Sequence, residues 1–195
     1  MAVEVEQSAR SRDGYPGNRA IWVGIVAELV EFSLMFLVYF FARVNHPAAF
    51  AEGPKKLSLA AGTANTLIMV TSSYLVARAL LAMRAGRISA CRHWLTGALL
   101  VGGGYPVVKF FEVRWNLAQG LTGGGDVFQM AYYYLTFNHL VHVSWGLLGL
   151  IWVLARTGFG AYDAQNHDGL IAFASYWHAT DLVWLMIFPL FYVLP

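Results

Sequence analysis

The last apolar stretch of the chain, residues 170–194, carries a histidine and an aspartate at helical spacing. His178 and Asp181 are three residues apart, so on a helix they share one face and can touch. Ionisable side chains inside a membrane-spanning helix are costly unless partners satisfy their polar atoms. We therefore expect this pair to make a buried polar contact between helices.

Two more histidines, His139 and His142, have the same three-residue spacing. Histidines so placed can ligate a metal, but this pair supplies only two nitrogens, whereas metal sites commonly use four ligands with supporting contacts. His178, Glu28 and Asp181 could complete such a set. We expect hydrogen-bonded core histidines rather than a redox metal or a haem, because the pattern marks no large pocket of small residues.

The first apolar stretch contains two carboxylates, Glu28 and Glu31, again three residues apart. Two carboxylates on one helix face disfavour double ionisation, so we expect at least one of them to be protonated or paired. For Glu28, a buried hydrogen-bonded carboxyl and a functional role both stay open. For Glu31, the alternatives are a contact with a partner subunit or with a neighbouring arginine.

Further polar positions lie inside apolar stretches. Lys109 and Glu112 are spaced three apart, and a mutually satisfied ion pair is the least costly way to keep both in a membrane. Asn65 needs two or more hydrogen-bond partners, because an amide in lipid is otherwise unsatisfied. The run Gly102-Gly103-Gly104-Tyr105-Pro106 predicts a break in helical hydrogen bonding and a kink.

Composition indicates an integral membrane protein of the all-α class. The chain of 195 residues is 58% hydrophobic and only 12% charged, whereas soluble domains have about 25% charged residues. A net charge of +2 and the lack of a basic cluster argue against nucleic-acid binding. The single cysteine, Cys91, excludes an intrachain disulfide, and we expect it to be a bystander thiol in a basic loop.

Five stretches are long enough to cross a hydrocarbon core, which takes about 20 helical residues. We predict a five-helix bundle over residues 20–195 and a flexible cytoplasmic tail over residues 1–19. The predicted crossings are Ala20–Val44, Leu57–Met83, His93–Leu117, Val127–Ala155 and Leu170–Leu194. Eight Lys and Arg residues fall on the side of the N-terminus and four on the other. The positive-inside rule therefore predicts a cytoplasmic N-terminus and an outward C-terminus.

Taken in order, the polar motifs resemble subunit III of the haem-copper oxidases. The matching stretches are Ala27-Glu28, Asn65-Thr66 with Ser72-Ser73, Lys109-Phe110-Phe111-Glu112, Thr136 to Val143 and Tyr176 to Trp184. They are collinear and cover nearly the whole chain from residue 20 onward. Five crossings resemble the short bacterial form, found in quinol oxidases and in the accessory protein encoded with nitric oxide reductase. Glu31 and the Gly102–Pro106 break depart from the pattern.

The resemblance implies an accessory subunit of a terminal oxidase or nitric oxide reductase that binds no haem, copper or other metal itself. In this family the subunit packs beside catalytic subunit I, encloses phospholipid in a V-shaped cleft, and supports assembly, proton uptake and enzyme lifetime. The implied location is the bacterial inner membrane. The expected buried polar or proton-related positions are Glu28, Asn65, Lys109, Glu112, His139, His142, His178 and Asp181.

Two other classes of function stay open from the residues alone. One is an intramembrane metalloenzyme that uses His139, His142 and His178 with Glu28. The other is a proton-coupled transporter that uses Glu28, Glu31 and Lys109. Transporters of that kind are commonly built from inverted repeats with paired broken helices, whereas this sequence shows one interrupted helix.

Overall fold

The computed structural model describes residues 19–194, in which the chain folds into α-helices without strands. The predicted flexible tail lies outside the described residues, except that the first helix begins at Arg19. The helices are α1 (Arg19–Asn45), α2 (Pro47–Glu52), α3 (Leu59–Arg84), α4 (Ile88–Gly102), α5 (Gly104–Ala118), α6 (Val127–Gly158) and α7 (Asp168–Phe188). A short 3₁₀ turn, Pro54–Lys56, precedes α3, and a π-helical turn, Pro189–Val193, follows α7.

Among the described residues, four helical segments are each long and apolar enough to cross a membrane: α1, α3, α6, and α7 with its π-helical extension. The remaining predicted crossing, the third along the chain, is divided between α4 and α5, which have 15 residues each. One such helix is about 23 Å long, short of a hydrocarbon core of about 30 Å, so only the two in succession can span it.

The predicted break in the third crossing is present at Gly103, which separates α4 from α5. Gly103 keeps helical backbone angles, with φ −61° and ψ −18°, and its N–H still donates to the Leu99 carbonyl at 2.9 Å. Pro106 has no N–H, so the Gly102 carbonyl loses its helical donor at this point. The proline therefore explains why one crossing takes two helices.

Polar caps set the start of two long helices. The Ser58 hydroxyl accepts from the Ala61 N–H at 3.3 Å at the start of α3. At the start of α6, Asp126 Oδ1 accepts from the Gln129 N–H at 2.9 Å, and the Gln129 side chain donates back to Asp126 Oδ2 at 3.2 Å. These contacts satisfy backbone donors that a helix start otherwise leaves without partners.

Helix α7 lies at the centre of the bundle, packed against α1, α3 and α6. Its tryptophans Trp177 and Trp184 are fully buried. Small residues on neighbouring helices make room for Trp177: a Cβ added at Gly146 of α6 would lie 2.7 Å from its ring, and one at Gly102 3.1 Å from it. Close approach at small residues is how helices pack tightly where apolar surface alone gives little specificity.

The expectation that Cys91 lies in a basic loop is wrong. Helix α4 begins at Ile88, and Cys91 is a fully buried residue of its first turn. The connection from α3 is only three residues long, because Gly86 adopts φ +70° and reverses the chain at once. The short turn brings α4 directly against α3, so the thiol becomes part of the core.

Candidate functional site

Lys109 and Glu112 form the predicted ion pair on α5, with Lys109 Nζ 2.9 Å from Glu112 Oε2. Both side chains are buried, with 2% of the Lys109 side chain exposed and none of the Glu112 side chain. Lys109 also donates to the hydroxyls of Tyr132 at 3.2 Å and Tyr192 at 3.1 Å. The three N–H groups of the ammonium thus each have an acceptor, which a buried charge requires.

Two tyrosines complete the same cluster from other parts of the chain. Tyr132 of α6 donates to Glu112 Oε1 at 2.9 Å, and Tyr192 of the π-helical turn donates to the same oxygen. Asn116, one turn beyond Glu112, donates to the Tyr132 hydroxyl at 3.2 Å. Sequence reasoning missed both tyrosines, because aromatic residues are common in every apolar stretch. We call these five residues, Lys109, Glu112, Asn116, Tyr132 and Tyr192, the lysine cluster.

His139 joins three helices through both of its ring nitrogens. Its Nε2 lies 3.1 Å from the Thr180 carbonyl of α7, which can only accept, so Nε2 carries the proton. In the neutral ring Nδ1 is then an acceptor, and the Tyr105 hydroxyl of α5 donates to it at 2.9 Å. The ring also packs against Trp184, with centroids 5.2 Å apart. His139 therefore holds α5, α6 and α7 in register.

Glu28 is a buried acid on α1, with 3% of its surface exposed. The Thr180 hydroxyl donates to its Oε1 at 3.0 Å, while Oε2 is buried with no hydrogen-bond partner among the described residues. Glu28 also interacts electrostatically with His142 of α6 and with Glu31. The buried carboxyl thus faces an imidazole and a second carboxyl.

Although Glu31 is only three residues from Glu28, it lies at the surface of the bundle, where 48% of its side chain is exposed. Asn138 of α6 donates to Glu31 Oε1 at 2.8 Å, and His142 Nε2 lies 3.8 Å from Oε2. The other ring nitrogen of His142 lies 3.0 Å from the Asn138 carbonyl. No arginine pairs with Glu31 among the described residues.

His178 and Asp181 are neighbours without a hydrogen bond between them. Asp181 is buried at 8% exposure. Its Oδ1 and the Ser73 hydroxyl of α3 are both buried without a hydrogen-bond partner among the described residues. His178 is half-buried and lines an open cleft between α3 and α7 that also contains Arg84. The expected polar contact between helices is therefore not formed as a hydrogen bond within residues 19–194.

Asn65 is completely buried on α3, and neither of its amide atoms has a hydrogen-bond partner within the described part of the chain. The next residue, Thr66, accepts a 2.9 Å hydrogen bond from the indole N–H of Trp184. Trp184 therefore connects α3 to the His139 ring. The two or more hydrogen-bond partners expected for Asn65 are therefore not found among the described residues, and Thr66 makes the contact with a neighbouring helix instead.

The residues suggested for a metal site do not come together. In residues 19–194, no group of three or more His, Cys, Asp or Glu side chains is arranged to hold a metal ion. Both nitrogens of His139 are engaged by Tyr105 and Thr180, and His142 is not among the residues that line the cleft of His178.

A separate apolar cleft of about 530 Å³ opens between α1, α6 and α7. Its walls are almost entirely hydrocarbon and aromatic, with Gly24 on α1, Trp145 and Trp152 on α6, and Phe173 on α7. Among the described residues that line it, the hydroxyl groups are those of Tyr162 and Tyr176. Such a cleft suits an apolar chain rather than a polar substrate.

Comparisons with known proteins agree on one kind of relative, although no family model matches the chain. The chain is 31% identical over 180 residues to cytochrome c oxidase subunit 3 of Thermostichus vulcanus, covering 88% of this chain and 84% of that one. It is 27% identical over 172 residues to the probable cytochrome c oxidase subunit 3 of Mycobacterium tuberculosis, with the same coverage of 88% and 84%. It is also 31% identical over 180 residues to the haem-copper oxidase subunit I+III of Aeropyrum pernix, covering 89% of this chain and 22% of that longer protein.

Proposed function

Because the chain belongs to the subunit III family of haem-copper oxidases, we propose that it is a non-catalytic accessory subunit of a respiratory terminal oxidase. The observation that carries this proposal is that the buried side chains of Lys109, Glu112 and His139 find their hydrogen-bond partners within the bundle. The ammonium of Lys109 has an acceptor for every N–H, and both ring nitrogens of His139 are occupied. These groups hold the helices in register, and the catalytic reaction takes place in a partner subunit.

The partner that we propose is the catalytic subunit of a haem-copper oxidase. The Aeropyrum pernix relative supports this, because its name joins subunits I and III in one chain, so that the two parts are tethered neighbours there. An oxygen-reducing complex agrees with the names of the other relatives, which are cytochrome c oxidase subunits. The location that follows is the cytoplasmic membrane, with the N-terminus on the cytoplasmic side.

We further propose that the apolar cleft between α1, α6 and α7 holds a phospholipid acyl chain. Gly24 lines this cleft, and a Cβ added there meets nothing within 4 Å. Gly24→Trp should therefore place an indole ring in the cleft and reduce the phospholipid retained by the purified complex. Gly158→Trp is the matched control, since Gly158 is equally open but lies outside the cleft. Equal phospholipid content of both variants, by mass spectrometry, would contradict lipid binding there.

Support of proton uptake is the role that we propose for Glu28, His142 and Glu31. Carboxyl and imidazole groups exchange protons readily, and these three interact from the buried core to the surface of the bundle. The catalytic centre would lie in the partner subunit, so the way the two subunits pack would determine its distance from these three residues. The lysine cluster has no such path to the surface, since its five members are all buried.

The experiment that tests the accessory role compares the oxidase purified with and without this chain. We expect oxygen reduction to begin at the same rate in both, but the enzyme without the chain should lose activity after fewer turnovers and take up protons more slowly. Identical lifetime and proton uptake would refute the role. A complex that reduces nitric oxide and not oxygen would instead assign the chain to a reductase.

A further inference from the structure

Glu31 lies at the middle of the membrane. Helix α1 runs from Arg19 to Asn45, so Glu31 is 12 residues from its first residue and 14 from its last. At 1.5 Å per residue these separations are roughly 18 and 21 Å, which leaves the side chain far from lipid headgroups and water. With 48% of the side chain exposed, this carboxyl points towards whatever surrounds the bundle.

The chain itself only half satisfies this carboxyl. Asn138 donates to Oε1, but the 3.8 Å separation between Oε2 and His142 Nε2 is too long for a hydrogen bond. His142 Nδ1 must donate to the Asn138 carbonyl, so in the neutral ring Nε2 carries no hydrogen. Oε2 therefore has no donor within the described part of the chain, and lipid tails supply none.

A groove of about 270 Å³ begins at Glu31 and follows the junction of α1 and α6. On α1 it extends from Glu31 to Tyr39, which is a little over two helical turns, or roughly 12 Å. Its walls are formed by apolar side chains, with Leu34 and Met35 on α1 and the exposed Tyr134 on α6. The groove thus has the length and apolar lining that receive one face of a helix.

We propose that this groove receives a transmembrane helix of the catalytic subunit, which donates a hydrogen bond to Glu31 at mid-membrane depth. The inference rests on the proposed function and names the surface by which the accessory subunit binds the catalytic subunit. A lipid cannot be the occupant that satisfies Glu31, because its donors lie in the headgroup and its tails have none. A partner helix with an arginine, lysine, hydroxyl or indole group supplies both an apolar surface for the groove and a hydrogen-bond donor for Glu31.

Co-purification with a tagged catalytic subunit tests the docking surface. Glu31→Leu should lower recovery of this chain at least tenfold, and Glu31→Gln should lower it less, because the amide still accepts a hydrogen bond. Leu34→Trp, which blocks the groove, should act like Glu31→Leu. Leu67→Trp on α3 is the matched control, since Leu67 is 63% exposed against 59% for Leu34 and lies away from α1 and α6.

The outcomes separate the two proposals. If the wild-type chain is not recovered with the tagged catalytic subunit, the proposed function fails, and this inference with it. If the wild type is recovered but Glu31→Leu and Leu34→Trp are recovered equally well, only the docking surface is wrong. Loss of bound phospholipid without loss of the partner in these variants would assign the groove to lipid and overturn the inference. Melting temperatures measured in parallel distinguish lost docking from lost folding.

Discussion

Replacing Lys109 with methionine should expose how much the bundle depends on its buried ion pair. The change keeps most of the length of the side chain but removes the ammonium, which leaves the fully buried Glu112 carboxylate without its cation. Breaking a buried pair by removing one partner costs about 4 kcal/mol, because an uncompensated charge stays behind. For a chain of this length that corresponds to a fall in melting temperature on the order of 10 °C.

The assay can use the single cysteine. Cys91 is fully buried, so a thiol-reactive fluorescent dye should report unfolding of the detergent-solubilised chain as the thiol becomes accessible. Lys55→Met is the matched control, because Lys55 pairs with Glu52 at 2.7 Å with the same three-residue spacing but on the exposed surface. Exposed pairs of this kind add little to stability, so the control should melt with the wild type.

A double variant sharpens the test. In Lys109→Met with Glu112→Gln, neither charge remains, so its destabilisation should be about 2 kcal/mol smaller than the sum of the two single changes. If Lys109→Met melts together with Lys55→Met, the ion pair does not stabilise the bundle, and the reasoning is wrong. Strict additivity of the two single changes would equally refute it.

The remaining predictions use the same melting assay on other contacts. Gly146→Ala should lower the melting temperature by several degrees, because the new Cβ would lie 2.7 Å from the Trp177 ring. Gly24→Ala should leave it unchanged, because nothing lies within 4 Å of a Cβ at that position. Equal melting temperatures of the two variants would contradict the close packing of Trp177 against Gly146. Thr66→Val should cost about 1–2 kcal/mol by leaving the buried Trp184 indole N–H without its acceptor, and an unchanged melting temperature would show that this bond contributes nothing. Tyr105→Phe should cost about 1 kcal/mol through the lost donor to His139, a smaller loss than that from Lys109→Met, and the reverse order would contradict the assigned roles.

The contact between Lys109 and Glu112 within one helix was predictable, whereas the contacts that other helices make with this pair were not. The spacing of Lys109 and Glu112 was enough to predict their ion pair, because residues three apart on a helix are neighbours whatever surrounds them. Tyr132 and Tyr192 are 20 and 80 residues from Glu112 along the chain, and nothing local distinguishes them from other tyrosines. Only the packing of α6 and of the π-helical turn against α5 selects them.

Local spacing was a poor guide to burial where the edge of the bundle intervened. Residues three apart on a helix differ by about 60° around its axis, so one of them can face the core while the other faces outward. Glu28 and Glu31 are such a pair, and they are buried and exposed respectively. His178 and Asp181 divide in the same way, with the aspartate in the core and the histidine towards a cleft.

The sequence by itself determined that this is a helical membrane protein, where its third crossing is interrupted, and to which family it is related. These properties depend on composition, on proline at residue 106 and on the order of motifs, all of which are local. The tertiary structure decided that Cys91 is a core thiol, that His139 joins three helices, and that Glu31 heads an open groove. The reason is that burial and hydrogen-bond partners depend on how two helices pack, and the sequence of one helix describes only one side of that interface.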